Sequence, residues 1–493
     1  MLKKTIVIIL FLLAIHLALL ILFASYRMFD MDEGVYLAAA RAVGEGNALY
    51  TDFFYTQMML MPTVFAPLAQ DGWHSFWVLR GISVTFGFLS AILLLIIVMK
   101  LTRDARASLI ALFLYCLSGM IISWHSVFKA HVFSHFLALG TFYFWILYYE
   151  KRNVVSLILT GLFLSTVINH RAVYIVLLPI YLISVWMLSS NYRFRDMIIF
   201  VISLVPFAVP TLIKIITAAD YFFFDTFVFQ LNRTENQSWT YLLNNKLLTV
   251  GKTLVDPHLL IILLLVIISI RLMRRDGKLS GMKGLLIKPG GMVLMNLTLI
   301  AGIHLFPNPM MPQYVEQFLA FGIILIAINL PAMLNYMSHA LSSGWRMTIY
   351  VTIGLIYIAG FLPYLAVYML NFREDSKMYS ISEVGKVTGR MLELGDKTDI
   401  VLSEWAGYPF LTDQSPLPYT EILGYEHPLP LDHEGYMKYR LADYEYLREK
   451  IAEKVPKMVI TINNPPEEYK EVLSLNYEPA FQSDRVTIRV RKE

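Results

Sequence analysis

Apolar runs of about 18 or more residues recur along this chain, and a run of that length crosses the hydrocarbon of a bilayer as a helix that satisfies its own backbone. Few other folds tolerate such repetition. Only 16% of the 493 residues are charged and 57% are hydrophobic, whereas a soluble globular chain carries about 25% charged residues. The runs predict spans at 5–24, 76–99, 107–123, 132–149, 154–169, 172–189, 197–217, 258–273, 291–306, 314–333 and 347–370, about eleven in all. The predicted class is an α-helical polytopic membrane protein.

Lys and Arg set the predicted orientation. Lys3 and Lys4, Lys100, Arg103 and Arg106, Lys151 and Arg152, Arg193 and Arg195, the cluster from Arg271 to Lys288, and Arg346 all fall in alternate connecting segments. Those segments are expected in the cytoplasm, with the N-terminus inside, and an odd span count places the tail outside. The opening run is read as an uncleaved anchor, because no small-residue cleavage pattern follows it. The single Cys116 excludes an intrachain disulfide and a cysteine-based metal cluster.

Residues 1–371 are therefore expected to form a membrane domain with a long first external loop at 25–75. Residues 372–493 change character, and charges become frequent. Helical periodicity over 380–394 and 436–453, with β-branched runs at 399–402, 458–461 and 486–490, predicts a small extracytoplasmic α/β domain. It carries no glycine-rich phosphate loop. Its expected role is accessory, either a cap over the external face or an acceptor-binding module. No nucleic-acid partner is expected.

The first loop opens with Asp30, Asp32 and Glu33. Carboxylates at a helix end beside a membrane are costly unless solvated, paired or functional. Other polar residues fall at the same predicted boundary: Arg41 and Asp52; His125, Lys129, His131 and His135; His170 and Arg171; Asp220, Asp225 and Arg233; His304, Asn308, Gln313, Tyr314 and Glu316. Singly, each reads as a helix cap or an interface anchor. Together they describe an outward-facing polar cavity. In such a cavity a carboxylate serves as general base, and Arg or Lys holds a phosphate. A base, a phosphate clamp and a membrane location suit group transfer from a lipid-borne phosphate donor. Asn232 and Asn236 begin Asn-x-Ser/Thr sequons on the predicted external side.

Asp32-Glu33, Tyr36, Ala38–Ala40, Gly44, Gly46, Tyr50 and Pro62 resemble the first external loop of the membrane glycosyltransferases of the C superfamily. The likeness is strongest to the branch of protein O-mannosyltransferases and lipid A aminoarabinose transferases. The resemblance implies a polyprenyl- or dolichyl-phosphate-linked sugar donor. It implies inverting transfer to a protein, lipid or glycan acceptor outside the cell membrane, with Asp32 as the base. Glu33 would hold the loop or a cationic partner, and Asp30 is the alternative base. Gly161–Val185 looks like the family's helix pair with a basic external turn, here His170-Arg171. Arg171 is the first choice for the donor phosphate and Lys129 the second, with snorkelling to lipid headgroups as the bland alternative. His131 stands where many relatives carry an acidic residue, so no metal or other cofactor is predicted, although a histidine-rich loop is compatible with a divalent ion. The run FPNPMMPQYVE resembles a late external loop and adds Gln313 and Tyr314. Tyr55 and His170 complete the substrate-facing candidates. Arg233 would lie over the site or in water.

A transporter or lipid flippase is the rival class, and a non-catalytic assembly subunit on the same fold is a third. A transporter would place charged or broken helices at mid-membrane. Collection of the carboxylates at one face favours the enzyme.

Overall fold

The computed structural model describes residues 2–189, 192–232, 238–305, 310–370, 377–425 and 429–493. Arg233, Asn236 and Asn308 lie outside the described residues. Helices follow one another from Leu2–Tyr26 to Leu362–Tyr368, and the one sheet among the described residues lies between Ile400 and Arg491.

Among the described residues, seven helices are long and apolar enough to cross a membrane, from Lys3–Tyr26 to Ser343–Tyr368. The predicted runs are mainly helical where described, but not every run is one unbroken long helix. The run 107–123 is split into Ala105–Cys116 and Gly119–His125, bent by 59°. Ser118 causes the restart: its Oγ accepts the Ile121 N–H at 3.5 Å and caps the second helix. Val154–His170, Ala172–Leu188 and Pro289–Leu305 are shorter apolar helices. The second of these begins as a 3-10 turn, Ala172–Leu177, and turns α-helical where Pro179 sits in the first turn of Leu178–Leu188.

Two long helices, Gly72–Thr102 and Ala130–Lys151, end on arginine in the left-handed conformation, Arg103 and Arg152, both at φ 51°. A cation there opposes the negative end of the helix dipole. Between helices, polar pairs hold the interior: Trp145 Nε1 donates to Ser184 Oγ at 2.9 Å, and Tyr181 OH to Asn296 Oδ1 at 3.2 Å. In lipid, where apolar burial between helices contributes little, such bonds and close packing fix the arrangement.

The C-terminal sheet has the order β2-β1-β3-β5-β4, with β1 Ile400–Ser403, β2 Ser415–Pro416, β3 Met458–Ile462, β4 Tyr477–Ser483 and β5 Val486–Arg491. β1 pairs in parallel with β2 and β3, while β5 pairs antiparallel with β3 and β4. The predicted helix over 436–453 is instead two helices, His433–Lys438 and Tyr444–Ala452. Arg440 takes φ 61° between them, and Asp443 starts the second by accepting the Tyr446 N–H at 2.8 Å.

The sheet region docks on the start of the first-loop helix, Met31–Gly44. Trp405 Nε1 donates to the Met31 carbonyl at 3.1 Å. Gly34 is required at this contact: a Cβ there would lie 2.6 Å from Trp405 Nε1 and 2.8 Å from the Gly407 nitrogen.

Candidate active site

The Met31–Gly44 helix carries the carboxylates, and its sequence explains its start. Asp30 is the N-cap, extended at φ −85° and ψ 139°, with Oδ1 accepting the Asp32 N–H at 3.1 Å. Asp32 and Glu33 occupy the first turn, where negative charge complements the dipole. The alanine run sustains the helix, and Gly46 at φ 96° lets the chain leave it.

The three acids then take three different positions. Glu33 is fully buried and held in a two-pronged ion pair by Arg80, with Nε to Oε1 at 2.8 Å and Nη2 to Oε2 at 2.7 Å. Its Oε1 also accepts the Phe128 N–H at 2.9 Å. Arg80 in turn donates to the carbonyls of Ala24 at 2.7 Å and Arg27 at 3.0 Å, which tie the end of the first helix to the loop. Asp30 pairs with Lys129 Nζ at 2.8 Å, and Arg27 stands 3.9 Å away. Burial pushes the Asp30 carboxyl up, but Lys129 and Arg27 outweigh it and hold it below the usual carboxylate range. Asp32 also meets Lys129 Nζ, at 2.6 Å, yet its side chain is 57% exposed. Lys129 itself is buried; the two carboxylates overcome that burial and raise its ammonium above the usual range.

A second group continues from this cluster. Tyr36 feels Asp32, Lys129 and Arg171 together. His131 lies within electrostatic reach of Arg171, Lys129 and His304. The Tyr314 ring is stacked on His131, with centroids 6.2 Å apart and planes 10° apart, and Tyr314 and His304 centroids are 5.6 Å apart. His170 precedes Arg171 at the end of Val154–His170. Ser134 Oγ donates to the Ala130 carbonyl, so His170 Nδ1 supplies the proton to Ser134 at 3.2 Å. Among the described residues, Arg171 Nη1, both ring nitrogens of His131, His170 Nε2, His304 Nε2 and the Tyr55 hydroxyl are buried without a hydrogen-bond partner. Buried polar groups are normally satisfied, and these atoms are exceptions to that rule. Gln313 is buried in the 3-10 turn Pro312–Val315 beside Tyr314. The sheet region faces the same carboxylates, since Tyr425 feels Asp32 and Tyr379 feels Asp30. Asn232 ends the short helix Phe229–Asn232.

Asp225 is buried against the end of the first loop. Its Oδ2 accepts the Tyr55 N–H at 3.0 Å. Burial pushes its carboxyl up to about 9, only partly offset by that bond. Because the folded value exceeds the unfolded one, the folded state holds an extra proton between them. Stability from this group is full below the unfolded value of 3.8 and declines as pH rises to about 9. Asp225→Asn is expected to flatten that decline, measured as thermal midpoint against pH in detergent.

Arg80, Arg27 and the role of Asp225 were not marked by their sequence neighbourhood. Arg27 lies buried between the Trp124 ring at 4.4 Å and the Tyr368 ring at 4.5 Å and donates to the Ser123 carbonyl. One sequence signal existed for Arg80: a lone cation inside the apolar run 76–99 requires a buried partner.

No family model matches the sequence, and no curated protein matches it. Among solved structures, ArnT from Cupriavidus metallidurans bound to undecaprenyl phosphate is similar over 99% of this chain and 98% of its own, with a TM-score of 0.64 and 12% identity. The apo oligosaccharyltransferase of Archaeoglobus fulgidus is similar over 93% of this chain and 69% of its own, with a TM-score of 0.56 and 13% identity. The same archaeon's AglB in complex with an inhibitory peptide and a dolichol-phosphate gives a TM-score of 0.51 at 12% identity. The chain is a multi-pass membrane protein with the fold of these solved structures.

Proposed function

We propose that this chain transfers a glycosyl group from a polyprenyl-phosphate donor to an acceptor on the extracytoplasmic side of the cell membrane, with Asp32 as general base. One observation carries the reading. Of three adjacent carboxylates, Glu33 is consumed by Arg80 and Asp30 by helix capping and Lys129, while Asp32 alone is substantially exposed. A base must come within hydrogen-bond reach of the proton it takes.

In the reaction, the acceptor oxygen or nitrogen forms a bond to the sugar C1 as the C1–O bond to phosphate breaks. The acceptor proton passes to Asp32, and the electron pair leaves on the lipid phosphate. Lys129 and Arg171 are the cations that would stabilise that phosphate. The unpartnered Arg171 Nη1, within electrostatic reach of His131 and Tyr36, supports this assignment. The polyprenyl-phosphate and dolichol-phosphate complexes of the similar structures support the donor class. The residues 372–493 would form an external domain that contributes to the acceptor side, through Tyr425 and Tyr379.

The test is turnover of a panel of polyprenyl-phosphate sugars by the purified chain, read as release of polyprenyl phosphate. Release from one donor class establishes the activity; absence of both release and binding across the panel rejects it in favour of transport. Arg171→Ala is expected to weaken donor binding about 10- to 100-fold, the worth of one hydrogen bond to a charged group. Isothermal titration with the donor measures this, and an unchanged affinity would return Arg171 to lipid-headgroup contact.

A further inference from the structure

We propose that His125, His135 and Glu316 bind a divalent transition-metal ion of the zinc class, which clamps together the three helices that carry them. His125 ends the helix Gly119–His125, His135 lies in the early turns of Ala130–Lys151, and Glu316 begins Glu316–Ala340. Lys129 and His131 lie between the two histidines, and Tyr314 lies two residues before the glutamate. The inference does not depend on the proposed transfer reaction.

The three side chains are 0%, 1% and 0% exposed. His125 Nε2 and His135 Nδ1 both converge on Glu316 Oε1, at 2.6 and 2.5 Å, and the three ligand atoms lie within 4.8 Å of one another. Two imidazoles and one carboxylate are a donor set that zinc uses, with nitrogen ligands disfavouring magnesium and calcium.

Outer contacts have the arrangement that orients metal ligands: His135 Nε2 lies 3.1 Å from the Tyr115 hydroxyl, and Glu316 Oε2 accepts from Gln317, whose Oε1 accepts the Tyr174 hydroxyl at 2.6 Å. With metal–ligand bonds of about 2.0–2.2 Å, the N–O separations would open to roughly 3.3 Å, a small side-chain adjustment.

The experiment uses the full-length chain in detergent with its affinity tag removed, loaded with zinc and then passed over a desalting column. About one zinc per chain is expected by mass spectrometry, with an X-ray absorption spectrum of nitrogen and oxygen ligands and a raised thermal midpoint. Glu316→Gln is expected to reduce zinc content to below about a tenth of that. His433→Ala, which alters the separate His433, Asp443 and Glu445 group, should leave it intact. Wild type that takes up no stoichiometric zinc and gains no stability overturns the proposal. So does zinc retained by Glu316→Gln, or zinc lost from His433→Ala.

Discussion

Asp32→Asn is expected to lower transfer by about 10²- to 10⁴-fold, the usual worth of a general base, while donor affinity and folding stay near those of the parent. The substitution keeps the volume and removes the proton acceptor. Its structural cost is small, because the Asp32 side chain is 57% exposed and its one ion pair is to Lys129, which Asp30 continues to hold at 2.8 Å. Asp30→Asn is the matching control: asparagine caps a helix about as well as aspartate, so this variant should retain the greater part of its turnover. Single-turnover rates at saturating donor, with separately measured donor dissociation constants, check both. Full activity in the Asp32 variant, with loss in the Asp30 variant, would move the base two residues upstream.

The second large effect concerns folding. Arg80→Leu or Glu33→Gln is expected to cost about 3–5 kcal/mol, because each leaves a charge or its remaining donors buried and unpaired. Both side chains are essentially inaccessible, at 1% and 0% exposure. The losses differ in kind. Without Arg80, the carbonyls of Ala24 and Arg27 lose their donor as well as Glu33 losing its cation. Without the Glu33 charge, the Phe128 N–H at 2.9 Å loses part of its acceptor strength. A double-mutant cycle read by thermal unfolding in detergent isolates the pair. A combined cost equal to the sum of the single costs would show that the two groups act independently.

Much of this architecture is written into the order of the residues. Apolar runs mark the helices because lipid imposes composition directly, and Asp30 with its acidic sequel marks the first-loop helix because a cap is a local device. The candidate residues were legible as a set, since they all fall at one predicted boundary, but the contacts among them were not. Arg80 meets Glu33 across 47 residues and Glu316 meets His125 across 191, and no local pattern encodes such distances. The break at Ser118 was hidden because the residues around it are as apolar as a continuous helix. β4 was hidden because Pro479, beside its bulge, disguises an edge strand. Asp443 divides the 436–453 segment, yet charge and periodicity alone read as one helix.

Where Trp405 grips the Met31 carbonyl and the bare backbone of Gly34, the chain forgoes modularity. The sheet region is no detachable cassette, because it helps set the pitch and position of the very turn that bears Asp32. Exchanging it for another domain would keep that turn in place only if the graft brought an indole to the same position against Gly34.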